Sequence, residues 1–172
     1  MRDDTAHWPA SYAEGETLAG AEVRVIRVTG VRQTLISNTD PDAVPDLASY
    51  PRIGWPEIAP ETGFAPTLRR DRILLVSDTP MPTGWNPSTN CTVTDASWSH
   101  AIFDVQGKGS AALFRQLGDL SLSHPLRPVV PHLLGIEVFA SRYIEQDRFR
   151  LHVPQAQAPG GWAGIAARLN PQ

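Results

Sequence analysis

The sequence has very little cysteine. Cys91 is the only thiol among 172 residues, which excludes an internal disulfide and any zinc or iron–sulfur centre built from several cysteines. A cysteine nucleophile would need a histidine and an orienting carboxylate beside it. His100 and Asp95 are close in sequence, but strand geometry gives no reason for them to converge on the thiol. We therefore expect Cys91 to be a small packed side chain at the start of a strand.

Positive charge is also scarce. Lysine and arginine together number 15 against 18 acidic residues, for a net charge of -3. Nucleic-acid-binding domains usually carry a basic face, so we expect no nucleic-acid partner. Lys108 is the only lysine. An arginine-rich composition favours bidentate pairing with carboxylates and contacts at interfaces, although genomic GC bias gives the same pattern.

Long apolar runs are missing as well. No stretch of about 18 apolar residues occurs, so the sequence predicts no membrane-spanning helix. Residues 1–15 are acidic and interrupted by proline, without the apolar core of a secretory signal. We expect a cytoplasmic protein.

The stretch Gly107-Lys108-Gly109-Ser110 resembles a phosphate-binding loop only superficially. A Walker A loop needs a glycine five residues before the second glycine, and Ile102 stands there; it also needs Ser or Thr directly after the lysine. The three spaced glycines of a dinucleotide-binding fingerprint are absent too. The sequence predicts a turn from a strand into a helix at Ser110–Leu117, with Ser110 capping that helix.

The remaining polar residues form no recognisable catalytic or metal-binding motif. The five histidines are not spaced as ligand pairs; they are His7, His100, His124, His132 and His152. The candidate general bases are Asp78, Asp95, Asp104 and Asp119, each where aspartate often stabilises a turn or a strand end. Asp95 is the strongest candidate because a strand should leave the sheet there. We predict no catalytic, cofactor-binding or metal-binding residue in this chain.

The chain divides into a short arm and one domain. Residues 1–20 lack periodicity and predict an N-terminal arm, and residues 21–172 predict a single domain able to bury roughly 70% of its unfolded surface. Residues 40–66 contain six prolines, which remove amide donors and fix the backbone. That segment predicts a long ordered loop with little more than one helical turn near residues 44–50.

The rest of the sequence predicts paired strands with helices between them. β-Branched residues at 23–36 indicate two strand pieces about Gly30, and residues 78–90 have the composition of turns. Further strands are predicted at 72–77, 92–95, His100–Gln106, 136–143 and 149–153. A second helix should begin near Gly161. We predict an α+β fold in which helices cover one face of an antiparallel sheet.

One segment resembles a known superfamily. Asp95-Ala96-Ser97, a strand, Gly107 and a helix rich in alanine and leucine are similar to the aminomethyltransferase superfamily. That superfamily includes the T protein of glycine cleavage and subunits of sarcosine oxidase. Its usual pattern is Asp-Val-Ser, a strand, Gly-Pro and a helix; here Ala96 replaces the valine and Lys108 the proline.

Within that superfamily the chain looks most like the gamma subunits of heterotetrameric sarcosine oxidases. Gly118 is followed by Ser123-His124-Pro125, where those subunits have Leu-His-Pro after a glycine. Residues 147–154, Asp-Arg-Phe-Arg-Leu-His-Val-Pro, precede a helix containing tryptophan, as in that family. Asp119 and Leu122 stand where the family has Cys and Asp before His-Pro, and the proline-rich segment fits poorly. The resemblance is therefore to a distant relative.

The resemblance implies a strand-strand-helix fold like the aminomethyltransferase folate-binding domain. It also implies a noncatalytic subunit of a complex that oxidises N-methyl amines in one-carbon metabolism. FAD, FMN, NAD and tetrahydrofolate would belong to alpha-type and beta-type flavoprotein partners, and this chain would hold no cofactor. As anchors for the partners we predict Trp55, Trp85, Arg69, Arg70 and Arg72. One alternative is a small one-carbon enzyme or folate-binding protein in which Asp95 or Asp119 holds a pterin or amine, and another is a free-standing module that binds folate or another small ligand.

Overall fold

The computed structural model describes residues 15–38, 44–54, 57–118 and 132–169. The strands are β1 (Thr17–Ala19), β2 (Arg24–Val28), β3 (Gln33–Asn38), β4 (Arg52–Ile53), β5 (Ile58–Ala59), β6 (Ala65–Arg69), β7 (Arg72–Val76), β8 (Gly84–Asn86), β9 (Cys91–Asp95), β10 (His100–Gln106), β11 (His132–Leu133), β12 (Ile136–Glu137), β13 (Phe139–Tyr143) and β14 (Glu145–Pro154). The α-helices are α1 (Ser110–Leu117) and α2 (Ala158–Leu169), and short 3-10 helices occupy Pro45–Ser49 and Gln155–Gln157.

The first six-stranded sheet, sheet 1, joins the two ends of the described chain. Its strand order is β1-β2-β10-β14-β13-β5. At its centre β10 and β14 run antiparallel from His100 opposite Pro154 to Gln106 opposite Arg148, and β2 pairs with the other edge of β10. The short β5 strand adds a parallel pair beside β13. Both central strands of this sheet are therefore paired on each side.

Both α-helices cover one face of sheet 1. Alternate residues along β10, Phe103 among them, point to this face and are buried. Phe103 contacts Trp162 of α2 with ring centroids 5.1 Å apart. Phe114 of α1 meets Phe149 of β14 edge-on at 4.9 Å. Every second residue of the strands and the apolar side of each helix therefore face each other and form one apolar layer.

The second six-stranded sheet, sheet 2, has the order β4-β6-β7-β3-β9-β8. All its pairings are antiparallel except that of β4 with β6. One face, carrying Ile36, Ile73 and Leu75, packs against Val44 and Leu47 of the proline-rich segment. This segment therefore covers a small apolar core. Its prolines disfavour sheet pairing, while its aliphatic side chains remain available for burial.

The opposite face of sheet 2 meets sheet 1. Leu74 and Phe64 belong to a third apolar cluster, and the partly buried Leu35 of sheet 2 and Phe139 of sheet 1 pack against it. Two connections cross between the sheets at one end of this contact: residues 29–32 join β2 to β3, and residues 96–99 join β9 to β10. We call this region the seam, and it holds the candidate site described below.

The predicted α+β class, with helices on one face of a sheet, is confirmed. The strands at 72–77, 92–95 and His100–Gln106 and the helix Ser110–Leu117 are present. The strand pieces about Gly30 lie in different sheets. This splitting yields two sheets where the sequence suggested one, because Gly30 takes a positive φ of 76° and turns the chain.

Several local expectations differ from the structure. Thr17–Ala19, inside the segment predicted as an arm, forms a strand because it pairs with β2. β8 lies inside the turn-rich stretch 78–90 and is held as an edge strand by β9. Ser110 does not cap α1; its hydroxyl donates to the carbonyls of Gly107 and Asp147.

Helix α2 begins at Ala158, three residues before the predicted start. The strands predicted at 136–143 and 149–153 pair antiparallel as β13 and β14, which a tight turn at Ile144 joins. Ile144 makes this turn with a φ of 62°.

Candidate functional site

A cavity of about 320 Å³ opens at the seam. Its walls are the connection from β2 to β3, the turn from β9 to β10, and the first residues of β10. The lining residues are Arg27, Val28, Thr29, Gly30, Val31, Arg32, Gln33, Asp95, Ser97, Trp98, His100, Ala101, Ile102 and Gln155. We take this cavity as the candidate functional site because it lies where the two sheets meet and because its volume is near the lower end of the range for small-ligand pockets.

The turn at residues 96–99, which we call the Trp98 turn, is fixed by a dense set of hydrogen bonds. The Ala96 amide donates to the Gln33 carbonyl at 2.8 Å, and the Gln33 amide donates back to the Ser97 hydroxyl at 3.1 Å. The Ser97 amide donates to the Asp95 carboxylate at 2.9 Å. The Ser99 amide and hydroxyl both donate to the Ala96 carbonyl. These bonds fix the backbone of the turn on both sides of Trp98.

Trp98 itself points away from the protein. Its side chain is 89% exposed, the highest exposure among the large hydrophobic residues in the described part of the chain. A rigid turn that presents an indole to solvent is unusual because burial of an aromatic side chain is normally favourable. The turn therefore presents the indole ring to solvent, while Ala96 of the same turn is buried in the third apolar cluster.

Charged side chains of opposite sign line the seam cavity. Asp95 is exposed, and its hydrogen bonds from Ser97, together with attraction to Arg32, hold the pKa of its carboxyl below the usual value. Among the described residues the Arg32 guanidinium has this attraction to Asp95 but no hydrogen-bond partner. Burial lowers the pKa of His100, so its imidazole is neutral at pH 7. The cavity thus combines a half-buried arginine with an already hydrogen-bonded carboxylate.

A buried polar contact joins the two sheets behind the cavity. His152 of β14 and Gln33 of β3, both buried, lie with Nδ1 2.7 Å from Oε1. The Gln33 side-chain amide donates to the His100 carbonyl at 3.3 Å, which orients its oxygen toward His152. Because an amide oxygen only accepts, His152 carries its hydrogen on Nδ1. Burial, followed by repulsion from Arg150 and His100, holds the pKa of His152 well below its ordinary value.

An ion pair lies further along the same face of sheet 1. Asp104 accepts two hydrogen bonds from Arg150, at 2.9 and 3.2 Å, and these residues are only 2% and 3% exposed. Arg148 approaches the same carboxylate at 3.5 Å. The Arg150 guanidinium also stacks over the Tyr143 ring at 3.7 Å. Asp104 is therefore a structural counter-ion, since its oxygens are occupied by arginines and it is closed to solvent.

One serine–histidine contact at the cavity invites comparison with a catalytic pair. The Ser99 hydroxyl lies 2.7 Å from Nδ1 of His100. The same hydroxyl donates to the Ala96 carbonyl at 2.7 Å, so its hydrogen is already engaged and Nδ1–H of His100 is the donor to it. A serine nucleophile needs the opposite arrangement, with its hydrogen directed to an unprotonated imidazole nitrogen. This pair fixes the turn and the ring of His100.

The structure separates the residues considered for cysteine chemistry. Cys91 is buried in the cluster beneath the proline-rich segment, and burial raises the pKa of its thiol. Asp95 and His100 bond to Ser97 and Ser99 instead. No group of three or more potential metal ligands occurs within the described ranges, and His7, His124 and Asp119 lie outside them.

The Gly107-Lys108-Gly109 stretch is the predicted strand-to-helix turn. The amide of Gly107 donates to the Asp147 carbonyl and that of Gly109 to the Glu22 carbonyl, each at 3.0 Å. A phosphate cradle requires such amides to face a ligand, and here they are used within the fold. Gly107 has a φ of 113°, and a Cβ on it would overlap the Glu22 carbonyl.

The predicted partner anchors remain predictions. Trp55 lies outside the described residues. Trp85 is 60% exposed on the edge strand β8. Arg69, Arg70 and Arg72 are exposed near the turn from β6 to β7, and Arg69 lies 3.7 Å from Glu137. The sequence reasoning missed Trp98, although a tryptophan between two serines just after Asp95 was a usable signal for a presented aromatic residue.

The molecule belongs to the α+β class. Two six-stranded sheets contact each other, and both α-helices lie on the outer face of sheet 1. Its fold is that of a chain in the heterotetrameric sarcosine oxidase from Corynebacterium sp. U-96, determined in complex with pyrrole 2-carboxylate. The two superpose with a TM-score of 0.68 over 98% of this chain and 94% of that one, at 18% sequence identity. At this identity the likeness establishes the fold. No protein-family model matches the sequence, and no curated protein matches it.

No helix in the described ranges is long and apolar enough to cross a membrane.

Proposed function

We propose that this chain is a noncatalytic, gamma-type subunit of a sarcosine oxidase-like complex that oxidises N-methyl amines in one-carbon metabolism. The main support is mutual coverage: the chain matches a single chain of a heterotetrameric sarcosine oxidase over 98% of its own length and 94% of the other. Two chains of matching extent and fold are suited to the same place in an assembly. The similarity of Gly118, Ser123-His124-Pro125 and residues 147–154 to gamma subunits favours that subunit in particular.

The polar chemistry of the seam agrees with a supporting role. Asp104 is paired with arginine, the Ser99 hydroxyl is bonded within its own turn, and the Asp95 carboxylate accepts from Ser97. These three groups are therefore engaged in hydrogen bonds that hold the fold. On this proposal FAD, FMN, NAD and tetrahydrofolate are bound by alpha-type and beta-type partner subunits in the cytoplasm.

Isolation of the tagged full-length chain from its native host tests the proposal. We expect a yellow eluate with flavin absorbance and two or more co-eluting chains in fixed ratio, identified by mass spectrometry. A tag at the other terminus controls for blocked assembly. A colourless single chain from both tagged forms would contradict the subunit proposal.

A second candidate function is a free-standing module that binds folate or another small ligand. The seam cavity of about 320 Å³, with Asp95 on its wall, is the observation that favours it. Titration calorimetry with tetrahydrofolate distinguishes the two functions. Stoichiometric binding that Asp95→Asn abolishes would support the module, and no heat of binding would exclude it for this ligand.

A further inference from the structure

The Trp98 turn has the physical properties of a preformed binding anchor. Its two flanking serines are each hydrogen-bonded through both backbone and side chain, to Gln33 and Asp95 on one side and to Ala96 on the other. The Gln155 amide also donates to the Ser99 carbonyl at 2.9 Å, which ties the turn to the end of β14. Because the backbone of the turn is already fixed, little conformational entropy is lost when a partner covers the indole. Burial of the ring therefore contributes more to affinity.

The surface next to the ring offers a second, polar element of recognition. Arg32 lines the seam cavity beside the Trp98 turn and is half-buried. Its guanidinium presents five donors, and within the described part of the chain none of them is used in a hydrogen bond. A carboxylate fits this fork in a bidentate manner. Asp95 is not placed as that acceptor, because it bonds to Ser97 and only attracts Arg32 at longer range.

A protein segment fits this surface better than a small molecule does. Small-ligand sites bury most of the ligand surface and line it with enclosed aromatic side chains. Here the aromatic residue stands 89% exposed at the rim, so a small ligand in the cavity would leave the indole in water. A partner loop can cover the ring and insert one acidic side chain into the cavity. Interfaces characteristically place tryptophan and arginine at their centre in this way.

We propose that the Trp98 turn and Arg32 form the docking site for an acidic loop of a flavoprotein partner subunit. The loop places a carboxylate on Arg32 and apolar side chains over the indole of Trp98. This proposal rests on the proposed function, because it specifies where and by what chemistry the partner is held. It also places the principal anchor at Trp98, at the seam between the sheets, and not at Trp85, which is one of the five anchors predicted from the sequence.

The test compares matched variants of the tagged full-length chain in the same native-host isolation. Trp98→Ala removes the seam anchor, and Trp85→Ala removes an exposed tryptophan on sheet 2. Arg32→Glu reverses the seam charge, and Lys108→Glu reverses an exposed charge next to α1. We expect Trp98→Ala and Arg32→Glu to lower the recovered flavin roughly tenfold or more, the loss expected for a hot-spot residue. Trp85→Ala and Lys108→Glu should retain it within about twofold.

Thermal unfolding of each purified variant separates loss of docking from loss of fold. Trp98→Ala should unfold at nearly the wild-type temperature, because exposed substitutions change stability little. If the Trp98→Ala variant keeps its partners, whether or not the Trp85→Ala variant loses them, the docking site is elsewhere. A wild-type chain without flavoprotein partners would refute the proposed function itself.

A small-molecule occupant is tested with benzoate, an aromatic carboxylate probe, in the same thermal assay. We expect millimolar benzoate to leave the unfolding temperature of the wild-type chain unchanged. An increase that Arg32→Glu abolishes, with partner recovery unaffected by that variant, would overturn the proposal in favour of a small-ligand site.

Discussion

The buried ion pair on sheet 1 provides the sharpest test of the structure. Asp104→Asn preserves the shape of the side chain but removes the charge that faces Arg150 and Arg148. Arg150 is 3% exposed and cannot regain full hydration without opening the sheet. Leaving one buried partner of such a pair uncompensated costs about 3–5 kcal/mol. The asparagine oxygen still accepts one hydrogen bond, so we expect a loss near the lower end of that range.

Urea denaturation of the purified full-length chain measures this loss as a change in the free energy of unfolding. The matched control is Glu145→Gln, which removes the same charge from an exposed position on the neighbouring strand β14. The control should stay within about 0.5 kcal/mol of the wild type. In thermal unfolding, Asp104→Asn should lower the midpoint by roughly 6–12 °C for a chain of this size.

The double variant Asp104→Leu with Arg150→Met checks the reason for the effect. Replacing both members of a buried pair by apolar residues of similar volume is often neutral or stabilising. We therefore expect the double variant to be more stable than Asp104→Asn alone. The reasoning is refuted if Asp104→Asn lies within about 1 kcal/mol of Glu145→Gln, since a buried counter-ion cannot cost so little.

Four further outcomes are expected. Because the pKa of His152 is lower in the folded state than the unfolded value of about 6.5, the unfolded chain binds more protons below that pH. Stability should therefore fall as the pH is lowered through 6.5, and His152→Asn should reduce this slope in urea titrations at several pH values. Gly30→Ala should lower the unfolding free energy by about 1–2 kcal/mol, from left-handed backbone strain alone. Gly107→Ala should lower it by more, because its Cβ would also overlap the Glu22 carbonyl. Phe114→Ala should cost about 3–5 kcal/mol in the same assay, since the ring is fully buried. Cys91 should react with a thiol reagent only in denaturant; rapid reaction of the native chain would contradict its burial.

Much of the fold was predictable because local patterns govern it. The helical spacing of Leu113, Phe114 and Leu117 indicates one buried face, and both α1 and the strand β10 are present where the sequence places them. The short strands β4 and β5 were not predictable. Each has two residues in a proline-rich segment and forms only where a neighbouring strand supplies the partner.

The seam was less accessible to sequence reasoning. Gln33 and His152 are 119 residues apart, and a single sequence carries no periodic signal that pairs them. Asp104 and Arg150 meet because β10 and β14 lie in one particular register. The exposure of Trp98 depends on hydrogen bonds that converge from three different segments. The serines on both sides of Trp98 hinted at this exposure, but the hydrogen bonds that fix it, from Gln33 and Gln155, come from distant parts of the sequence.

The strand order of sheet 1 has a consequence for synthesis. β2 lies near the start of the described chain, and the strand β10 that it pairs with is about 75 residues further on, followed later by β14. During translation β1 and β2 therefore emerge long before their neighbours and leave an open sheet edge on the ribosome. Pairings of this range also close slowly, and the central pair β10–β14 cannot be completed until residue 154 has emerged.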